Sequence, residues 1–263
     1  MTAHRIAELT APEVARRLSA GACALLPMGS TETHGPQAPM GDFLLAEEIA
    51  ARIAAESLRA GADALVCPAI PYGGEDFFAG VPGGVSLSSG LLQGIVEETA
   101  EAFIRTGTRR FMVVNGHAGS IAAVEAASRA LRRRHGIVIP TLHLWRSAGA
   151  LHAELGGAAA SLGHGGDPVW SVALALRPDL CHPDAARART PEAPFLGLRI
   201  SSFGNVHCAG VDFAVPIEVE EIAPGGVQCQ DSRGGSAQHG ERIVERLVTA
   251  GAAMVRQLRE HAP

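Results

Sequence analysis

Short apolar runs and longer stretches with apolar residues at every third or fourth position alternate along the first half of the chain. Ala22–Pro27 (ACALLP), Ala64–Cys67 (ALVC), Phe111–Asn115 (FMVVN) and Ile137–Leu142 (IVIPTL) are short and nearly all apolar. That pattern predicts strands buried on both faces. Between them, Phe43–Ala60, Ser89–Thr106 and Ile121–Arg134 carry Ala, Leu, Ile and Val at helical spacing. Glu47, Glu48, Glu97, Glu98 and Arg132 to Arg134 fill the other faces. Gly61, Gly107 and Gly136 stand where each helix should end, at the position that favours a left-handed backbone. Strand–helix–strand alternation predicts an α/β fold, with a mostly parallel sheet covered by helices on both faces. Pro and Gly are dense from Pro178 to Gly235, and one long helical pattern follows from about Ser236 to His261. No stretch reads as a linker or a repeat, so one domain over residues 1–263 is expected.

Ligands of open parallel sheets bind at the carboxyl ends of the strands, and three strand ends here carry unusual residues. MGSTETHGPQAPMGD follows the first strand and holds Glu32, His34 and Asp42. Carboxylates and imidazoles so arranged can converge on Zn, Mn or Fe. The same residues could equally be two solvated loop side chains and an N-cap for the helix beginning at Phe43. Asn115-Gly116-His117-Ala118-Gly119-Ser120 follows the third strand, with His117 well placed as a ligand. It has no Lys or second glycine pattern, so a phosphate loop is not expected. Leu162-Gly163-His164-Gly165-Gly166-Asp167-Pro168 precedes a helix running to about Leu176. His164 could ligate, transfer protons or pack, and Asp167 could ligate or cap the helix that Pro168 opens. Among the other histidines, His143, just past a strand, is the best candidate for an extra site member, although a buried structural role is the stronger expectation for it.

Composition narrows the classes. The 263 residues carry 22 Lys+Arg against 27 Asp+Glu, a net charge of −5, with no basic stripe for nucleic acid. Hydrophobic residues make up 47% and charged residues 19%, as in a globular protein rather than a disordered one. No apolar run is long enough for a membrane span, and the start lacks a signal-peptide core, so a cytoplasmic protein is expected. The five Cys are scattered without a CxxC pair, which suits reduced thiols and makes a thiol enzyme improbable. No serine sits in a GxSxG elbow.

The three segments together resemble the creatininase family of metal-dependent amidohydrolases. LLPMGSTETHGPQAPMGDFLLAEEIA is similar to its Glu-x-His-Gly-Pro loop with a following Asp and helix. VVNGHAGS resembles its Asn-Gly-His segment, and GHGGDPVWSVALALRPDL its later helix start. PYGG and VPGGVSLS resemble pieces between these, so the similarity runs in order from about Leu25 to Leu180. The resemblance implies a three-layer α/β/α fold, a homo-oligomer (a hexamer) and two divalent metal ions per chain. It implies Glu32, Asp42 and His117 on one ion, and His34 with a bridging Asp42 on the other. Gly119 stands where creatininase has a glutamate ligand, and the later motif offers Asp167 to complete the second site. Tyr72, Ser120 and Trp170 are the expected substrate contacts. Gly163, Val169 and Trp170 replace residues of the creatininase pattern, and Phe77, Phe78 and Gly80 stand where it has a histidine. The implied substrate is therefore not creatinine.

The chemistry implied is attack on a carbonyl by hydroxide formed between two ions about 3.5–4 Å apart, with a water pKa lowered towards ~7. His164 is the expected proton shuttle to the leaving nitrogen. The expected reaction is C–N hydrolysis of a small polar cyclic amide or N-formyl compound. The same site could instead open a keto-inositol ring, and a non-catalytic metal-binding subunit is the rival from another class.

Overall fold

The computed structural model describes residues 4–74, 78 and 80–262, and Phe77 lies outside them. Helix α1 (Ala11–Ser19) leads into β1 (Cys23–Met28), and α2 (Asp42–Arg59) returns the chain to β2 (Ala64–Val66). Two short strands, β3 (Gly73–Gly74) and β4 (Ser86–Leu87), precede α3 (Ser89–Arg105), β5 (Phe111–Asn115), α4 (Ile121–His135), β6 (Thr141–His143) and α5 (Leu144–Leu151). After α6 (Val169–Leu176) come strands β7 (Arg199–Ser202), β8 (Asn205–Cys208) and β9 (Val211–Ala214). The chain then forms the single turn α7 (Val219–Ile222) and ends in α8 (Ala237–His261).

The central sheet runs β2-β1-β5-β6 with every pair parallel. Side chains alternate across a strand, and β1 and β5 use both faces. Cys23, Leu25, Met112 and Val114 point to one core with Leu45, Ile49 and Ile53 of α2, Val172 of α6, and Ile243 and Leu247 of α8. Ala24, Leu26, Met28, Phe111 and Val113 point to the other, against Leu92 and Val96 of α3 and Val124, Ala127 and Leu131 of α4. This is the three-layer α/β/α arrangement, and it explains why the strands read as unbroken apolar runs. A third cluster joins Phe78 to Ile200, Val206, Ile217, Val219 and Ile222 beneath the antiparallel β7-β8-β9 sheet.

The helix ends fall where the glycines predict, with Gly61, Gly107 and Gly136 at φ of +82°, +91° and +68°. The Ile137–Leu142 run is corrected: regular pairing covers only Thr141–His143. Pro140 has no N–H to give a ladder, and it enters the sheet only through its carbonyl, which accepts from Val113. Helix α8 lies very close to α6, because a Cβ on Gly240 would overlap the Ser171 carbonyl. That contact brings the first turn of α8 beside the loop that precedes α6.

Candidate metal centre

The loop after β1 turns back so sharply that Gly29 has no room for a side chain against Asp42 and the Phe43 backbone. Asp42 is the first residue of α2 and Gly41 its N-cap, so Asp42 is not the cap. Its Oδ1 accepts the Ser30 N–H at 2.5 Å, and Trp145 Nε1 approaches Oδ2 at 3.4 Å. After β5, Asn115 clamps the next turn: its Oδ1 accepts the His117 N–H at 3.1 Å and its Nδ2 donates to the His117 carbonyl at 2.8 Å. The same Nδ2 meets His143 Nδ1 at 3.0 Å. His143 thus supports Asn115 rather than facing the ligand group directly.

Glu32, His34, Asp42 and His117 are each 95% or more buried and converge below one cavity. Glu32 Oε2 lies 2.9 Å from His117 Nδ1, and Glu32 Oε1 lies 3.1 Å from His34 Nε2. Asp42 Oδ2 is 3.9 Å from His117 Nδ1. Each imidazole uses its outer nitrogen on a backbone carbonyl, His117 Nε2 on Gly74 at 3.0 Å and His34 Nδ1 on Pro39 at 3.2 Å. That outer hydrogen bond orients a ligating histidine and leaves its inner nitrogen as a lone pair. Two buried carboxylates facing two such nitrogens form a donor set for divalent cations, and the otherwise unpartnered Glu32 Oε2 fits the same role.

The titration directions tell the same story. Burial and the neighbouring Glu32 charge push Asp42 up to about 7. Burial works against a charged His117 ring, but the Glu32 and Asp42 carboxylates outweigh it and raise the ring to about 9. Burial would raise Glu32, yet His117 and His34 hold it well below the usual carboxylate range. Without a cation, this group keeps protons in place of one.

Gly73 closes the site from β3. A Cβ there would stand 2.9 Å from His117 Nε2 and closer still to Cδ2 of the ring. Gly73→Ala is therefore expected to tilt His117 while leaving every ligand residue in place. Metal affinity should fall about 10–100-fold, the range seen when support of a ligand is disturbed, and metal titration of the folded variant checks this.

His164 groups with Glu32 and His34, stacked on His34 at a centroid distance of 5.3 Å and flanked by Phe78 and Phe203. Its Nε2 bonds the Thr33 carbonyl at 2.7 Å, and burial lowers it to about 4. A neutral ring with its hydrogen committed to a carbonyl is poorly suited to the expected proton shuttle, whereas its Nδ1 is free as a ligand. Asp167 lines the same cavity, but its carboxylate groups with His152 and His239 rather than with His34. Its oxygens accept from Ser161 Oγ at 2.7 Å and the Ser171 N–H at 3.1 Å, the latter in the first turn of α6.

None of the three expected substrate contacts lines the cavity among the described residues. Trp170 is 2% exposed within the α2–α6–α8 core, its ring against Gly235. Ser120 is fully buried and accepts the Gly74 N–H at 3.2 Å. Tyr72 is 41% exposed and is not among the residues lining the cavity. The cavity, about 700 Å³, is walled instead by Phe78, Trp145, Leu162 and Phe203, with Glu125 and Gln228 as polar members. Sequence reading did not place these in the site because they come from six separate segments without a shared motif. Phe78 and Leu162 stand in segments that the motifs single out, and Trp145 is an aromatic just past the β6 strand end.

Comparison with known proteins fits this geometry. The creatininase family (creatinine amidohydrolase) matches residues 7–255. The mycofactocin precursor peptide peptidase of Mycolicibacterium smegmatis is 34% identical over 157 residues, 59% of this chain and 58% of that protein. The chain thus spans less than two thirds of that relative. The creatinine amidohydrolase of Pseudomonas putida is 35% identical over 197 residues, 66% of this chain and 72% of that protein. A solved manganese creatininase superposes with a TM-score of 0.75 at 27% identity, covering 100% of both chains. With the family matched across nearly its whole length and the fold shared end to end, this chain belongs to the creatininase family.

Proposed function

We propose that this family member is a metal-dependent hydrolase that cleaves a C–N bond of an amide. The observation that carries the reading is the convergence of Glu32, His34 and His117 on the floor of the cavity, with the buried Asp42 carboxylate 3.9 Å from His117 behind them. Glu32, Asp42 and His117 would hold one divalent ion, and His34 with Glu32 and His164 a second. Divalent ions held there supply water activation near neutral pH and polarisation of a carbonyl. Asp42, anchored by Ser30 and next to Trp145, keeps its second oxygen towards His117. Gly119 and Val169 leave the cavity wall without carboxylates at those positions, and Glu125 lines it beside Glu32 and Asp167.

The cavity favours a substrate larger and less polar than a bare polyol. Phe78, Trp145 and Phe203 offer flat apolar faces, and Gln228 and Glu125 offer a few hydrogen bonds, the usual make-up of a small-molecule site. An N-acyl or cyclic amide with an apolar substituent fits that lining. On this reading the protein works in the cytoplasm as a homo-oligomer. The exposed Leu196, Val211 and Phe213 are consistent with that assembly.

The test is a panel of lactams, N-formyl amines, short peptides and keto-inositols, presented to protein loaded with Zn, Mn or Fe. Turnover of an amide class that His117→Ala abolishes is expected. Turnover of keto-inositols alone would replace the reading with ring opening. Tight metal binding with no turnover of any class would favour a non-catalytic subunit.

A further inference from the structure

A second donor cluster lies behind the cavity wall. His152, just past α5, Asp167, before α6, and His239, in the first turn of α8, are 2%, 1% and 3% exposed. One ligand atom from each lies within 4.8 Å of the others. We propose that these three side chains bind a further divalent transition-metal ion, separate from the Glu32–His117 centre and with a structural role.

Hydrogen accounting supports an ion here. His152 Nε2 sits 2.9 Å from the Ala158 carbonyl and must carry the hydrogen, so its Nδ1 is a bare lone pair. That lone pair faces His239 Nε2 at 3.0 Å, with the rings 84° apart. With both rings neutral and no ion between them, His239 places its hydrogen on Nε2. Its Nδ1 is then a buried acceptor that makes no hydrogen bond, although the Leu155 carbonyl lies beside the ring. Two acceptors are left facing no donor, a costly arrangement in an interior. Burial lowers His239, which disfavours the doubly protonated ring that would otherwise satisfy both nitrogens.

An ion between the two imidazoles removes the conflict. Nε2 of His239 then ligates, the hydrogen moves to Nδ1, and Leu155 becomes its acceptor. Bonds of about 2.0–2.1 Å require the two nitrogens to separate by only a few tenths of an ångström. Asp167 adds the charge, and each of its oxygens keeps a lone pair beyond its bond to Ser161 or Ser171. No Arg side chain among the described residues forms a salt bridge with this buried carboxylate, which leaves its charge to be met by a cation. Gly157 belongs to the same construction, since any Cβ there would collide with the His152 ring. The two-imidazole, one-carboxylate set suits Zn²⁺ and its first-row neighbours. The three ligands come from residues 15 and 72 positions apart in sequence, so the ion would tie α5 and α8 to the loop that forms the cavity wall.

The experiment uses Zn²⁺ as the probe on the full chain. Crystals of the wild type saturated with Zn²⁺ are expected to show an anomalous peak within bonding reach of His152 Nδ1, His239 Nε2 and an Asp167 oxygen. Elemental analysis should find one ion fewer per chain in His239→Gln, while His117→Ala keeps that ion. A Zn²⁺-saturated crystal with peaks in the cavity and none at His152 would overturn the inference and leave the cavity centre standing. Peaks at His152 with none in the cavity would do the reverse. If His239→Gln does not fold, the wild-type map decides alone.

Discussion

Asp42→Asn is expected to fold normally and to lose at least half of its bound divalent metal. Asn can still accept the Ser30 N–H through its oxygen, so the anchor at the start of α2 survives. What is lost is the negative charge at Oδ2, which becomes an amide group facing the Trp145 N–H and His117. Asn presents donors towards Trp145 where the native carboxylate presented an acceptor, and it no longer offsets a cation beside Glu32. Wild-type content should be about two ions in this centre, and any hydrolytic rate should fall about 10²–10³-fold or more, as when one electrostatic stabiliser is removed. Elemental analysis beside a thermal melt checks the result. Unchanged metal content in a well-folded variant would remove Asp42 from the ligand set.

The second large effect is on stability against pH. In metal-free protein, Asp42 titrates at about 7 against an ordinary 3.8, and His117 at about 9 against 6.5. Both values are raised by folding, so each contribution is full below the unfolded value and is lost as pH rises through the folded one. Glu32 has the opposite sign: held below its ordinary 4.5, it contributes above that value and its contribution is lost as pH falls. From these three groups, metal-free protein should be most stable at about pH 4 to 4.5, where Glu32 is already ionised and Asp42 has only begun to lose its contribution. It should lose stability up to pH 9 by an amount on the order of a few kcal/mol. Metal-loaded protein should not follow, because ligands must be deprotonated for an ion to bind and higher pH favours that state. Denaturant unfolding at pH 5, 7 and 9, with chelator and with Mn or Zn, measures the gap between the two curves. Curves that run parallel would show that no ion replaces these protons.

Much of this protein can be read along the chain. Leu25 and Leu26 face opposite helical layers because a strand turns successive side chains to opposite faces, and both positions are apolar for that reason. Glu32 and His34 lie two residues apart on one loop, and His117 stands directly off a strand clamped by its neighbour Asn115, so local sequence carries their placement. Family motifs in order supply the rest of the cavity centre.

Other features depend on packing. The length of β6 follows from Pro140 meeting β5, and Trp170 is a core residue only because α8 closes over α6 at Gly240. Asp167 could cap or ligate on sequence grounds, and its neighbours decide: His152 and His239 reach it from 15 residues before and 72 after. The chain by itself determined the order of layers and the local ligands, because periodicity and turn chemistry act over a few residues. The partners of Asp167, the neutral ring of His164 and the aromatic cavity wall were decided by tertiary structure alone, because burial and long-range convergence are properties of packed helices rather than of any one segment.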